Sequence, residues 1–445
     1  MVLKETTAEI ANLMTAARAA TLSLFDMARE SDLHESPGFG FRPIIWHLAH
    51  IGVFESYWIA QKLAGESALN ARYERIFDPI STPREESKNL PSRREMEDYL
   101  CRVRERTHRV LEKINFDEND PLLRNAYVFH LVLQHEYQHQ ETLAYLLHLL
   151  DRTKKMQPTA EDFQAREKET KELSSDVAAS EMVLVPAGAF SMGARSDSFA
   201  YDNELPMHWV EVPAFKIARV PVTNQEYAHF VDEGGYERHE WWSAEGLRAR
   251  ERENWTRPLY WESVVDGRGI KSWRARTMFD EDALKPQHPV MGLSWYEAEA
   301  YARFMNKRLP TESEWEKAAS WNEDEKRRHR FAWGDEEPDE RRANYGTRLW
   351  GTTAVGQFPD GASRYGCLDM NGNVWEWTHS QFKGFPGFKA FPYPEYSETW
   401  FDGDHRVLKG GSWATRAPIL RTSFRNFFRR HFRIAFAGLR LVEDA

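Results

Sequence analysis

The sequence predicts an α+β protein in which a helical bundle precedes a larger domain of short strands and loops. Residues 1 to about 150 carry apolar residues at spacings of three and four, with few glycines, as in amphipathic helices. Residues 151–180 are charged and poor in large apolar residues, which is typical of a solvated linker. From residue 181 onward, β-like runs are broken by Gly, Pro and Asn. We therefore expect domains at 1–150 and 181–445, joined by a linker at 151–180.

The apolar spacing also predicts which residues face the core of each helix. The inward positions of the first two helices are Leu13, Ala17 and Leu24, then Ile44, Leu48, Ile51 and Trp58. In the second domain, short β-like runs begin at "EMVLVPAGAFSMG". Two segments there, "WYEAEAYARFMN" and "ESEWEKAASW", predict short helices.

Bulk composition excludes several classes of protein. A formal net charge of −10 over 445 residues argues against an extended nucleic-acid surface. No run of eighteen apolar residues indicates a membrane span, and the N-terminus lacks the features of a signal peptide. Cys101 and Cys367 are too few for a disulfide framework. We expect a cytoplasmic protein with neither nucleic-acid nor membrane partners.

A helical segment carries a metal-ligand pattern, His135-Glu136-Tyr137-Gln138-His139. Residues in a helix are offset by about 100°, so His135 and His139 lie about 40° apart, one turn removed. Glu141 is about 200° from His139 and should not bind the same ion. The letters also match the H-E-x-x-H motif of zinc peptidases, with Glu136 as general base. Spacing alone does not distinguish a zinc peptidase from another kind of metal enzyme.

A third ligand is expected from "WHLAHIG", which contains His47 and His50. They are three residues apart, so both cannot comfortably face one ion together with the other pair. His50 is favoured because nearby Gly52 permits close approach of another helix. Neutral imidazoles bind iron, copper and zinc, so the spacing of the histidines does not identify the metal.

Longer segments resemble known families. "MVLVPAGAFSMGA", "HPVMGLSWYEAEAYARFMNKRLPTESEWEKAA" and "GCLDMNGNVWEWTHS" resemble the formylglycine-generating, sulfatase-modifying-factor family, which implies a C-type-lectin-like fold. "WHLAHIG" and "HEYQHQE" resemble the DinB-like four-helix bundle. The combination resembles the sulfoxide synthases of ergothioneine biosynthesis. The cysteine pair of a true formylglycine generator is absent after Cys367.

The resemblance implies an O2-dependent non-haem iron enzyme. Its Fe(II) would be bound by histidines matching His50, His135 and His139, and it would join a thiol to C2 of trimethylhistidine (hercynine) as a sulfoxide. Gln138 and Asn426, with Phe427 beside the latter, match positions that contact hercynine. A neighbouring alternative is a branch that forms the C–Se bond of selenoneine.

Two residues depart from the family pattern at positions that are expected to bind the thiol substrate. Phe428 and Phe432 stand where members using γ-glutamylcysteine carry Asp and Arg, so the expected donor is smaller, such as cysteine. Arg84 and Lys88, in "TPREESKNLPSRR", are the candidate partners of its carboxylate.

The family's catalytic tyrosine is also missing, because Phe382 and Phe385 occupy the corresponding stretch and phenylalanine cannot donate a proton. Tyr137 lies on the far side of its helix, whereas Tyr57 is about two turns beyond His50 on the same face. We favour a third possibility, Tyr393 or Tyr396 in the "FPYPEY" loop, as the proton donor.

The segment "NGNVWEW" is a candidate site for a second metal ion. Loop carbonyls and Glu376 could bind a structural calcium ion, although an ordinary buried turn accounts for the segment equally well.

Overall fold

The computed structural model describes residues 6–38, 40–80, 82–156, 181–265, 267–269 and 271–445. The chain divides into two compact units. The first contains residues 1–158 with 197–199, and the second contains 159–196 with 200–445. The first unit is helical and the second mixes short strands with helices, so the predicted α+β class is confirmed.

The first unit is built around four long helices. Its helices are α1 (Thr7–Phe25), α2 (Glu30–Leu33), α3 (Trp46–Glu55), α4 (Ala71–Ile76), α5 (Arg93–Lys113) and α6 (Tyr127–Leu149). Helix α3 continues directly into a π-helix, Ser56–Leu63. Helices α1, α3, α5 and α6 pack against one another as a bundle. Capping boxes, Thr6 with Glu9 and Ser92 with Glu95, fix the starts of α1 and α5.

The inward face of α1 differs by one position from the prediction. Ala17 and Leu24 are buried as expected, but Leu13 is 37% exposed and Met14 takes the inward place. Met14 continues the stripe through Ile10 and Ala17 at spacings of four and three, whereas Leu13 lies about 100° away.

A buried ion-pair network ties the four long helices together. Arg18 on α1 binds Glu136 on α6 (2.8 Å) and Glu55 on α3 (2.9 Å). Arg104 on α5 binds Glu55 at 2.8 Å. Burial by itself would raise the pKa of Glu55, but Arg104 and Arg18 outweigh it and lower the pKa to about 2. Each of these helices therefore contributes a charge that another helix neutralises.

The strands of the second unit form five small sheets. In chain order they are β1 (Met182–Val185), β2 (Gly188–Met192), β3 (His208–Val212), β4 (Phe215–Ala218), β5 (Trp261–Val265), β6 (Lys271–Arg276), β7 (Glu281–Ala283), β8 (Trp321–Asn322), β9 (Arg327–Arg328), β10 (Trp375–Gln381), β11 (His405–Lys409), β12 (Asn426–Arg429), β13 (Ala437–Leu439) and β14 (Val442–Asp444). The largest sheet has the order β12-β11-β10-β13, with β10 and β13 parallel and its other neighbours antiparallel. The other sheets are β1-β4-β14, β5-β6-β7, β2-β3 and β8-β9.

Among the described residues of the second unit, four helices accompany these strands: α7 (Asn224–Asp232), α8 (Ala244–Arg252), α9 (Trp295–Phe304) and α10 (Glu312–Ser320). Helices α9 and α10 confirm the two predicted helical segments, and the strands of "MVLVPAGAFSM" are also present. Helices α7 and α8 were not predicted. Trp315 on α10 is buried in a core with Val185, Phe190 and Trp321.

The predicted linker is only partly described. Residues 157–180 lie outside the described residues. The preceding stretch stays with the first unit, where the Met156 backbone N–H donates to Met27 O at 2.7 Å and Ala28 bridges Lys155. Among the described residues, no helix combines the length and apolarity needed to cross a membrane.

Candidate metal centre

Helices α3 and α6 bring three predicted ligands to one point inside the first unit. One ligand atom from each of His50, His135 and His139 lies within 4.8 Å of the other two. The ring centroids are 4.5 to 5.1 Å apart. The one-turn spacing on α6 directs His135 and His139 to the same side, and α3 supplies His50 from across the gap.

Neighbouring groups fix the orientation of each ring. His50 Nδ1 lies 2.7 Å from the carbonyl of Phe77, so Nδ1–H donates and Nε2 keeps its lone pair. The His50 ring stacks on Trp46 (4.5 Å, 16°), and the His135 ring stacks on Phe54 (3.7 Å, 8°). One face of each of these two rings is therefore held by an aromatic side chain.

His139 is oriented by His47, the histidine of α3 that is not predicted to bind the metal. His47 Nδ1 lies 3.0 Å from His139 Nδ1, so one of these nitrogens donates to the other. When His139 is the donor, its Nε2 is free to bind a metal and His47 acts as the acceptor. This role of His47 could not be predicted from the sequence, because it depends on the rotation of both side chains.

The surroundings keep the imidazoles neutral. Burial lowers the pKa of His50 to about 4, and the Phe77 carbonyl offsets only part of this effect. Burial lowers the pKa of His47 to about 3, and the neighbouring His50 and Arg42 add to the effect. Desolvation and the adjacent histidines hold the pKa values of His135 and His139 well below their usual range. Neutral imidazole is the form that binds a metal.

The site fits a metal ion on grounds of geometry and chemistry. His135 Nδ1 is buried and has no hydrogen-bond partner among the described residues. A buried polar atom without a partner is costly, and a metal bond would satisfy it. Three neutral nitrogen donors around one point are the ligand set of an open metal centre.

Glu136 does not have the environment of a peptidase base. Its carboxylate accepts hydrogen bonds from Arg18 (2.8 Å) and Thr21 (2.7 Å) in the bundle core. It thus serves the ion-pair network rather than a bound water. Glu141 is buried and is not part of the three-histidine group, in agreement with the angular argument.

The other candidate residues of the first unit have different settings. Gln138 is partly buried, and its amide lies 3.5 Å from Gln134 O. Arg84 donates to Gly40 O at 2.9 Å, and Lys88 is exposed. Tyr57 is 40% exposed, with Lys62 over its ring. It lies at the start of the π-helix Ser56–Leu63, which the sequence did not predict.

In the second unit, Asn426 and Phe427 begin strand β12. The Asn426 side chain accepts the backbone N–H of Phe427 at 2.9 Å. The Phe427 ring stacks on Phe382 (3.9 Å, 11°), one of the two phenylalanines at the expected tyrosine position. Phe428 and Phe432 stack on each other (4.3 Å, 17°) and present an apolar pair.

The favoured tyrosines form an aromatic cluster in the same unit. Tyr396 stacks on Tyr201 (4.2 Å, 12°) and approaches Phe427 edge-on at 6.4 Å. Tyr393 meets Tyr396 edge-on at 6.3 Å. Burial raises the pKa of Tyr393, which keeps its phenol protonated.

Glu376, the candidate calcium ligand of "NGNVWEW", has partners within the protein. Arg440 binds this carboxylate at 2.8 Å, and Trp315 Nε1 donates to it at 2.7 Å. The guanidinium neutralises the charge of this carboxylate, which weakens the case for Glu376 as a calcium ligand. "NGNVWEW" is a buried segment leading into strand β10, and calcium binding there stays a prediction.

Comparison with protein families assigns each part of the chain to a class. Residues 13–143 match the DinB superfamily, and residues 167–445 match the sulfatase-modifying factor enzyme 1-like domain. The chain is 36% identical over 100% of both lengths to the "Hercynine oxygenase" of Mycolicibacterium smegmatis. It is 37% identical to that of Mycobacterium tuberculosis, over 98% of this chain and 99% of the relative.

The second part alone is also similar to a "Formylglycine-generating enzyme" of Mycobacterium tuberculosis, with 35% identity over 45% of this chain and 74% of that protein. The full-length similarity decides the assignment. The chain belongs to the hercynine oxygenase family, and it is an oxygenase built from a DinB-type bundle and a sulfatase-modifying-factor domain.

Proposed function

We propose that this chain is an Fe(II)- and O2-dependent sulfoxide synthase that joins a thiol to C2 of hercynine in ergothioneine biosynthesis. The observation that carries the proposal is the convergence of His50, His135 and His139 in a member of this family. We propose these three imidazoles as the iron ligands. Bound iron would bring thiol and O2 together and carry electrons between them.

The proposed reaction balances without a further reductant. The thiol S–H and the hercynine C2–H bonds break, and a C–S bond forms. One oxygen atom of O2 becomes the sulfoxide oxygen, and the other leaves as water with the two hydrogens. The four electrons that O2 gains come from sulfur and from C2. The protein must therefore hold both substrates and deliver protons at the correct moment.

The chain's own side chains suit these tasks. Gln138 and Asn426 offer amide groups to hercynine, with Phe427 packing beside Asn426. The trimethylammonium group would favour an aromatic face, which Phe427 supplies. Tyr393 or Tyr396 would hold the proton that the phenylalanines at 382 and 385 cannot provide.

The thiol is proposed to be cysteine rather than γ-glutamylcysteine. The stacked pair of Phe428 and Phe432 offers no charge to a glutamyl zwitterion, and its desolvation would be uncompensated. Arg84 and Lys88 are the proposed cations for the cysteine carboxylate, because both are exposed and carry a positive charge.

The test is incubation of anaerobically Fe(II)-loaded protein with hercynine, O2 and a panel of cysteine, γ-glutamylcysteine and a selenol, with products identified by mass. We expect the cysteine conjugate to form with the highest kcat/KM. A kcat/KM for γ-glutamylcysteine well above that for cysteine would refute the donor assignment. Formation of a C–Se product alone would favour the selenoneine alternative.

A further inference from the structure

A cavity of about 550 Å³ lies within the second unit. Its lining residues come from strands β2, β3, β10 and β11, from helix α10 and from the loop after β10. None of the proposed metal ligands, substrate contacts or proton donors lines it. The volume falls within the usual range for small-molecule sites.

The cavity has an apolar part and a charged part. Met192, Val210 and Phe385 form the apolar part, and Met192 and Val210 lie on the paired strands β2 and β3. Arg406, Lys383, Arg425 and Glu312 form the charged part, and the neutral amide of Gln381 lies with them in the lining. Strand register pairs Gln381 with Arg406, so these two side chains come from adjacent positions of β10 and β11.

Arg406 is a buried guanidinium without a carboxylate partner. It is only 8% exposed, and no ion pair joins it to an acidic group among the described residues. Its Nη1 donates to Gly403 O at 3.0 Å, but its Nε is buried without an acceptor in the part of the chain described. By contrast, Arg425 in the same cavity is paired through two bonds with Glu312, at 2.6 and 3.0 Å.

Two carboxylates, Asp404 and Glu299, act on Arg406 at longer range, but each is paired with another arginine and neither forms an ion pair with Arg406 among the described residues. Asp404 is bound to Arg430 at 3.0 Å. Lys383, also in the lining, is exposed and has no ion pair among the described residues. Burial, reinforced by Arg430, lowers the pKa of Arg406. An anion bound in the cavity would raise the pKa of Arg406 again, because it would pair with a guanidinium that is already desolvated.

The start of helix α10 adds a second source of positive potential. Thr311 caps this nine-residue helix, and Ser313 in its first turn lines the cavity. The N-terminal end of a helix carries partial positive charge and favours anions. Glu312 and Glu314 also lie in this first turn, but each is neutralised by an arginine, Arg425 and Arg308 respectively. The guanidinium of Arg406, the ammonium group of Lys383 and the helix end thus act in the same direction.

We propose that this cavity binds a small organic anion. Its acid group, a carboxylate or a phosphate, lies against Arg406 and Lys383. Its apolar body packs on Met192, Val210 and Phe385. None of the proposed metal ligands lines the site, and anion binding there does not depend on the proposed reaction.

The test measures binding to the full-length, metal-loaded protein by isothermal titration calorimetry. The probes are phenyl phosphate, phenylacetate, inorganic phosphate and the neutral benzyl alcohol. We expect saturable binding of at least one aromatic anion, and affinity at least about tenfold weaker for the neutral probe. Comparison of phenyl phosphate with phenylacetate identifies which acid group the site prefers, and inorganic phosphate reports the contribution of the apolar part.

Matched variants locate the binding. Arg406→Gln should weaken aromatic-anion binding by about 10- to 100-fold, since a hydrogen bond to a charged group is lost. Lys383→Glu, at an exposed position that does not burden folding, should also weaken it, whereas Lys389→Gln in the same loop but outside the lining should not. His135→Ala should leave binding unchanged, which separates this site from the metal centre.

Two results would overturn the proposal. One is the absence of saturable binding of every anion up to about 10 mM, a concentration at which even weak specific sites fill. The other is unchanged affinity in both Arg406→Gln and Lys383→Glu. If Arg406→Gln fails to fold, as circular dichroism would reveal, the Lys383→Glu result decides alone.

Discussion

Each histidine of the proposed metal centre is positioned by a different chemical group. A backbone carbonyl orients His50, the face of Phe54 supports His135, and His47 contacts His139. None of these contacts requires a charged partner close to the ligands. The centre therefore presents three neutral nitrogens in an environment that disfavours their protonation, which raises the affinity for a metal near neutral pH.

Removal of any one ligand should abolish tight iron binding. His50→Ala, His135→Ala and His139→Ala each leave two nitrogens, too few for a stable mononuclear site. We expect iron content after desalting to fall to near zero and turnover to be lost. His34→Ala, at a histidine outside the group, is the control. Full iron content in His50→Ala would show that the third ligand is misassigned.

His47 should influence the metal without binding it. His47→Ala removes the acceptor that orients His139, so metal affinity should fall by about 10- to 100-fold rather than vanish. His47→Asn retains an oxygen acceptor and should recover part of the loss. Competition with a chromophoric chelator for Co(II) measures both affinities. Equal affinity in His47→Ala and the unaltered protein would contradict this role.

The tyrosine cluster gives a prediction about product rather than rate alone. If Tyr393 or Tyr396 supplies the proton, the corresponding Tyr→Phe variant should divert the enzyme toward cysteine sulfinic acid. Loss of proton delivery typically slows a step by about 10²- to 10⁴-fold, so a competing oxidation can then dominate. Mass spectrometry gives the ratio of sulfoxide to sulfinic acid. Tyr57→Phe is the exposed control, and an unchanged ratio in both cluster variants would exclude these residues.

At the scale of elements, the ion-pair network holds α1, α3, α5 and α6 together through Glu55 and Glu136. Glu55→Gln leaves Arg104 and Arg18 without one of their partners inside the bundle. Breaking a buried pair in this way costs about 3–5 kcal/mol. Chemical denaturation followed by circular dichroism should report a loss of this size, with Glu105→Gln on the exposed side of α5 as control. A loss below about 0.5 kcal/mol would be typical of a surface pair instead.

The same carboxylate gives the sign of one pH effect on stability. The pKa of Glu55 is about 2 in the folded bundle, compared with 4.5 for an ordinary glutamate. The unfolded chain binds the proton more readily, so this contribution is complete above about pH 4.5 and is lost as the pH falls toward 2. In Glu55→Gln that part of the acid sensitivity should be missing.

Local periodicity predicted the helices of the first unit and the pair of ligands on α6, because both depend on spacing within one helix. It failed where geometry departs from a regular α-helix or depends on distant partners. The π-helix from Ser56 was not predicted, and the contact of His47 with His139 depends on the rotation of both side chains. The ion pair of Glu376 with Arg440 was not predicted either, because the two residues are 64 positions apart. Helices α7 and α8 were missed, although α10, which has the same length of nine residues, was predicted.

For the whole molecule, the division into two units separates two kinds of chemistry. The three proposed metal ligands and the ion-pair network lie on helices between Thr7 and Leu149. The aromatic cluster, the stacked phenylalanines and the anion cavity lie beyond residue 181. Metal binding should therefore be separable from turnover by cutting the chain, because the proposed contacts Asn426 and Phe427 and the tyrosine cluster would be removed while the metal ligands remain.

We predict that a fragment of residues 1–156 folds and binds metal but does not catalyse the reaction. All ligands, their orienting neighbours and the buried ion pairs are inside it, so its affinity for Co(II) should remain within about tenfold of the full-length protein. Circular dichroism should show a helical protein with cooperative unfolding, as expected of a domain with its own core. The same fragment carrying His135→Ala is the control for specific binding. A fragment that is helical yet binds no metal would mean that residues beyond 156 complete the metal site.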